Sequence, residues 1–204
     1  MSGAAAQERP IVGPSGLLAK IGDLSSLTGR DAIRLFDEQV DTWFAPFRGV
    51  PSIDTVARVI SGLGDHGLVW AASTAWRARR SGARRNRAVR ALAVAGVQSS
   101  VVNAALKAFV GRPRPDPSDL RLGDNVIPLR EPRTSSFPSG HTLAAFCAAT
   151  VLSERGDLGG NALLYTCAGM VGVSRVHLQA HHASDVLGGV VIGTALGVLG
   201  RRFV

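Results

Sequence analysis

The 204 residues suffice for one domain with one core. Hydrophobic residues make up 46% and charged residues 19%, which excludes a disordered chain; 24 glycines without a G-X-Y period exclude collagen, and two cysteines exclude a disulfide scaffold. The net charge of +8 is local, because residues 66–115 hold ten basic residues and no acid while the remainder holds 13 basic against 15 acidic residues.

Residues 1–27 read as a mobile leader. The opening MSGAAAQERPIVGPSG is polar and lacks the apolar stretch of a secretory signal, so any membrane insertion is expected from the body of the chain. A single helical domain is expected over residues 28–204, with its catalytic core over 52–200. The spacing predicts an amphipathic helix over 28–47. Thr28 and Asp31 fit a capping box, and Ile33, Phe36, Val40, Trp43 and Phe47 recur at intervals of three or four. Arg34, Asp37, Glu38 and Asp41 fall elsewhere on the wheel. Such a helix either covers a core or lies in a membrane interface, and Pro46 and Pro51 end it.

Apolar helical segments follow at 52–76, 91–110, 141–152, 161–173 and 186–199. A lipid-spanning helix needs about 20 apolar residues, and only 91–110 approaches that without polar ends. Hydropathy alone leaves a soluble bundle open. Seven arginines crowd the run WRARRSGARRNRAVR between the first two segments. With no interleaved aromatics and apolar runs on both sides, it reads as a cytoplasmic loop rather than a nucleic-acid contact. Residues 111–137 carry five prolines and mixed charge, as a long functional loop would. Cys147 and Cys167 lie in apolar stretches and read as small buried hydrophobes.

Three runs carry chemistry. In Lys107-Ala-Phe-Val-Gly-Arg112-Pro-Arg114-Pro115, a lysine near a helix end and an arginine beyond it can converge on one anion. In Phe137-Pro-Ser139-Gly140-His141, Ser139 can cap the following helix, whose free N–H groups bind an anion that Gly140 lets approach and that His141 can protonate. In Ser174-Arg175-Val-His177-Leu-Gln-Ala-His181-His182-Ala-Ser184-Asp185, His181 and Asp185 lie four apart. On one helical face the carboxylate would hold the imidazole in one tautomer. There is no HExxH, cysteine pair or carboxylate cluster, so no metal is expected. Asp65-His66 reads as a buried polar pair or a helix-end contact.

In order and spacing these runs read K-x6-RP, PSGH and SR-x5-H-x3-D, with every fixed position filled. The sequence resembles the type 2 phosphatidic acid phosphatase family, which shares its site with vanadium-dependent haloperoxidases, over roughly residues 52–199. The resemblance implies an all-α, membrane-embedded bundle of about five core helices with the N-terminal helix on the interface. It implies that Lys107, Arg114 and Arg175 bind phosphate oxygens, with Ser139 and the Gly140 N–H completing the cradle. His181 would attack phosphorus, Asp185 would orient it, and His141 would protonate the leaving oxygen and then activate water, with no cofactor. Family spacing selects Arg114 over Arg112. His182-Ala183 replaces the aromatic and proline that the family often carries there.

The expected substrate is a lipid phosphate: a polyprenyl phosphate or diphosphate, a polyprenyl-phosphoryl sugar phosphate, a phosphatidate or phosphatidylglycerol phosphate. The expected partners are that lipid and the bacterial cell membrane, without nucleic acid. Counting crossings from Lys107 to Arg202 puts the site on the face opposite the arginine run, hence outside the cytoplasm. The competing readings are a vanadate-binding haloperoxidase-like enzyme and a non-catalytic arginine-rich membrane scaffold.

Overall fold

A computed structural model describes residues 28–65, 68–78, 82–115 and 134–204. The leader, His66, the middle of the arginine run and most of the proline-rich segment lie outside the described residues, as does the Asp65 side chain. The chain divides into two units, Met1–Leu35 and Phe36–Val204.

All regular structure among the described residues is helical. Helix α1 is Gly29–Phe44, followed by a 3₁₀ turn at Ala45–Phe47. Then come α2 (Pro51–Asp65), α3 (Leu68–Ala78), α4 (Gly82–Val110), α5 (Gly140–Leu152), α6 (Leu158–His177) and α7 (Ala183–Gly200). In the first unit the Thr28 and Asp31 side chains bond reciprocally to each other's backbone N–H at 3.1 and 3.3 Å, the predicted capping box.

Two expectations are corrected. The single segment expected over 52–76 is two helices, α2 and α3. The arginine run is not one loop, because helix reaches Ala78 and resumes at Gly82. Arginine is a good helix former, so these charges extend helix ends instead of breaking them. Among the described residues, six helices follow α1.

α5 is the axis of the second unit and packs against α4, α6 and α7. Nine of its thirteen residues are buried, including Thr142, Leu143, Cys147 and Leu152. Small residues make that possible. Gly193 of α7 lies where a Cβ would strike the Leu143 carbonyl, and a Cβ at Gly197 would lie 2.9 Å from the Cys147 carbonyl. These glycines let two backbones approach as closely as helices do in lipid.

Among the described residues, two stretches are long and apolar enough to cross a membrane, Val89–Val110 and Ala183–Phe203. Only 17% of the first and 33% of the second is buried inside the protein. Val97, Val101, Phe109, Leu163, Val191 and Phe203 point outward instead. A soluble protein rarely exposes apolar surface on this scale, whereas a lipid-facing one must.

α1 turns its apolar stripe outward, as an interfacial helix would. Phe36, Trp43 and Phe47 on its apolar stripe are exposed, and Asp37 is buried at 7% exposure. Amphipathic spacing located the helix, but bonds to Asp37 decide which side meets the protein.

Candidate active site

The three sequence runs meet at one end of the bundle. Lys107 lies in the last turn of α4, His141 in the first turn of α5, Arg175 in the last turn of α6 and Asp185 in the first turn of α7. The antiparallel order α4–α5–α6–α7 brings those ends together. The charged neighbours of the His141 ring are Arg175, His181, Lys107 and Arg114.

The His181 ring is 2% exposed and has its Nδ1 2.7 Å from the Ser136 carbonyl. A carbonyl only accepts, so Nδ1 carries the proton and the lone pair of the neutral ring sits on Nε2. Arg114 Nη1 faces that nitrogen at 3.4 Å while donating to the Ala180 carbonyl at 2.7 Å. Burial, with Arg114 and Arg175 nearby, holds the His181 pKa below its ordinary value against the pull of Asp185. Those surroundings favour the neutral imidazole.

Lys107 and Arg114 converge on Thr134. Lys107 Nζ lies 3.5 Å from its hydroxyl, and Arg114 Nε donates to its carbonyl at 3.3 Å. Arg175 is 5% exposed and donates from Nη1 to Ser61 Oγ of α2 at 2.5 Å. Three guanidinium or ammonium groups around an oriented imidazole can hold the oxygens of a phosphoryl group and stabilise charge developing on them. Among the described residues, no three His, Cys, Asp or Glu side chains converge as a metal would need.

Two site residues differ in detail from expectation. Ser139 occupies the N-cap position of α5 without a side-chain capping bond. Its Oγ accepts from Thr142 Oγ1 at 3.0 Å, and its N–H donates to the Asp185 carbonyl at 3.0 Å, tying α5 to α7. Asp185 Oδ2 is 3.9 Å from His181 Nδ1, so its hold on the ring is electrostatic, and the Ser136 carbonyl makes the orienting hydrogen bond. Gly140 is required by proximity, since a Cβ there would lie 2.7 Å from the Asn103 amide nitrogen of α4.

Sequence reasoning missed Ser61, Thr134, Ser136 and Asp37. Three are ordinary polar residues outside the motifs, and no local signal marks them. It named Arg112 as an alternative phosphate ligand, whereas the Arg112 guanidinium is engaged by carboxylates: Nη1 donates to Asp185 Oδ1 and Nη2 to Asp37 Oδ2, both at 2.7 Å. That leaves Arg114 facing the pocket. His177 is buried at the end of α6. Its Nε2 pairs with Asp54 Oδ1 of α2 at 2.7 Å, and both residues are buried.

α1, α2 and α6 line an open apolar groove of about 310 Å³. Phe44, Ile53, Val56, Ile60, Met170 and Val173 line it, with Ser174 and His177 at its edge.

The sequence pattern of the PAP2 superfamily matches residues 88–204, which include all three motifs. The chain belongs to the PAP2 superfamily. Phosphatidylglycerophosphatase B of Bacillus subtilis is 34% identical over 118 residues, 50% of this chain and 51% of that protein. The chain thus spans about half the length of that relative. Decaprenylphosphoryl-5-phosphoribose phosphatase of Mycolicibacterium smegmatis is 30% identical over 148 residues, covering 71% of this chain and 76% of the relative. The crystal structure of a transmembrane PAP2-type phosphatidylglycerolphosphate phosphatase from B. subtilis superposes with a TM-score of 0.64 at 26% identity. That superposition covers 92% of this chain and 90% of the other, so the fold extends to helices that lie before the family match.

Proposed function

We propose that the protein is a metal-independent lipid phosphatase of the bacterial cell membrane, acting on a phosphomonoester or diphosphate through a phosphohistidine. The observation that carries this reading is the His181 ring, tied at Nδ1 to the Ser136 carbonyl and aimed at Nε2 into a cationic pocket. In the first step a bond forms from Nε2 to phosphorus as the bond to the lipid oxygen breaks, and His141 gives that oxygen its proton. In the second step His141 takes a proton from water, the water oxygen bonds to phosphorus, and the nitrogen–phosphorus bond breaks. Lys107, Arg114, Arg175 and the N–H groups at the start of α5 hold the phosphoryl oxygens throughout. Asp185 offsets the positive charge that His181 acquires.

The apolar groove, partly lined by Ser174 next to Arg175 in α6, suits the chain of a lipid. Among substrates, a polyprenyl-linked phosphate is favoured because the relative named decaprenylphosphoryl-5-phosphoribose phosphatase aligns over most of both chains. The site is proposed to face away from the cytoplasm. Arg155 and the C-terminal Arg201 and Arg202 lie at the opposite ends of α5, α6 and α7, where positive charge is retained inside.

Purified protein in detergent with EDTA, offered a panel of lipid phosphates, should release inorganic phosphate. His181→Ala should abolish release, and His141→Ala should slow it by about 10²–10⁴-fold. Release that disappears with chelator and returns with magnesium or zinc would overturn the metal-free reading, and a fully active His181→Ala would overturn the nucleophile.

A further inference from the structure

Asp37 belongs to none of the three motifs and precedes the family match, which begins at residue 88. It is nevertheless buried, and its two carboxylate oxygens take three hydrogen bonds. Oδ1 accepts from the Ser184 N–H at 2.8 Å, and Oδ2 accepts from Ser184 Oγ at 2.7 Å and from Arg112 Nη2 at 2.7 Å. The other end of the same guanidinium, Nη1, donates to Ser184 Oγ and to Asp185 Oδ1, each at 2.7 Å. Asp185 is fully buried, its Oδ2 held by the His182 N–H at 2.9 Å and lying 3.9 Å from the His181 ring. The chain of contacts runs Asp37–Arg112–Asp185–His181.

The charges along that chain explain why it has two carboxylates. Arg112 alone would cancel Asp185, and His181 would face a neutral pair. Asp37 cancels Arg112 instead, so one negative charge remains beside the imidazole. We propose that Asp37, acting through Arg112, is a positioning residue for the Asp185–His181 pair, which makes α1 a working part of the active site. This rests on the proposed role of His181 as nucleophile. Phe36 and Trp43 of α1, and Phe47 just after it, are exposed, so the helix that completes the site also turns apolar side chains outward, as an interfacial helix would.

The remaining charged and titratable groups near His181 are Arg114 after α4, Lys107 of α4, His141 of α5 and Arg175 of α6; His182 stands beside Asp185. Two substitutions leave those groups in place and move the net charge in opposite directions. Asp37→Asn keeps the shape and an acceptor for the Ser184 N–H but removes a negative charge. Arg112→Gln removes a positive one.

The test is ring-labelled histidine NMR of detergent-solubilised full-length protein titrated with acid, with the His181 signal identified by its loss in His181→Ala. Lipid-phosphate turnover is measured on the same samples. Asp37→Asn should move the His181 titration to lower pH, Arg112→Gln should move it higher, and the double variant should bring it back toward wild type. Turnover in Asp37→Asn should fall by about 10–100-fold in kcat, as removal of a residue supporting a ligand or nucleophile does, with KM little changed, and recover in part in the double variant. Unchanged titration in both single variants, or shifts in the same direction, would overturn the proposal. Because the titration needs no turnover, the charge relay is read even in a protein that hydrolyses no lipid phosphate, an outcome that would count against the phosphatase reading alone. If Asp37→Asn fails to fold, Arg112→Gln decides by the direction of its shift.

Discussion

Replacing His177 by alanine separates stability from catalysis within one turn of helix. His177 ends α6, two residues after Arg175, and its ring bonds Asp54 of α2 at 2.7 Å. The Asp54 and His177 side chains are 3% and 5% exposed. Without the ring, Asp54 keeps one hydrogen bond on its other oxygen, from the Gly49 N–H at 3.1 Å. Breaking a buried pair by removing one partner costs about 3–5 kcal/mol, and the surviving N–H bond places this case near the lower end, about 3 kcal/mol. For a chain of this size that corresponds to a fall of about 6–12 °C in melting temperature. His177→Gln, which returns a donor toward Asp54, should recover part of it. The assay is thermal unfolding in detergent, paired with phosphate release measured well below the transition. His177→Ala should melt early yet keep kcat within about tenfold of wild type, while His181→Ala should turn over nothing even well below its own transition. An unchanged melting temperature in His177→Ala would refute the buried-pair reading. A normally stable His177→Ala as dead as His181→Ala would show that the two histidines have been given the wrong roles.

Because the His181 pKa is depressed by burial and by Arg114 and Arg175, the acid limb of kcat/KM should lie below the ordinary histidine value of about 6.5. Arg114→Ala, which removes a positive charge facing Nε2, should move that limb upward, and a downward move would contradict the geometry. The same depression means that the unfolded chain binds the proton more readily. Stability should therefore fall as pH drops from about 6.5 through the lowered folded value, as a pH series of melting temperatures would show. Gly193→Ala should destabilise by about 1–3 kcal/mol, because the added Cβ meets the Leu143 carbonyl of α5, and a melting temperature equal to wild type would show that α5 and α7 can separate. Single cysteines at Ser118 and Arg155, on a background lacking Cys147 and Cys167, should react oppositely with an impermeant thiol reagent in intact cells. Ser118→Cys should label and Arg155→Cys should not; the reverse would place the site in the cytoplasm.

Helical class and the site motifs were legible in the sequence because both depend on local rules. Apolar runs of helical length, Thr28 with Asp31 at a capping interval, and Ser139-Gly140 before an apolar run are short-range signals. Lys107, Arg114, His141, Arg175, His181 and Asp185 were named because their order and spacing resemble a known family's motifs, with no knowledge of where they meet. Small side chains along α7 also hinted at close packing, although only the coordinates pair Gly193 with Leu143.

What only the tertiary structure decided are matters of facing and partner. An acid among Arg34, Asp37, Glu38 and Asp41 looks solvent-directed on a helical wheel, because periodicity ranks faces by hydrophobicity and cannot see an arginine 75 residues away. In the fold, Arg112 and Ser184 satisfy Asp37, and the energetic cost of burying a carboxylate is met by three bonds. The same holds for His177, which is paired across 123 residues with Asp54, and for Ser136, whose backbone carbonyl, invisible to any motif, fixes the tautomer of His181. Motif spacing named the groups that would touch a phosphate. Long-range hydrogen bonds determine which of the two arginines faces the pocket, which histidine pairs with Asp54, and which way Nε2 of His181 points.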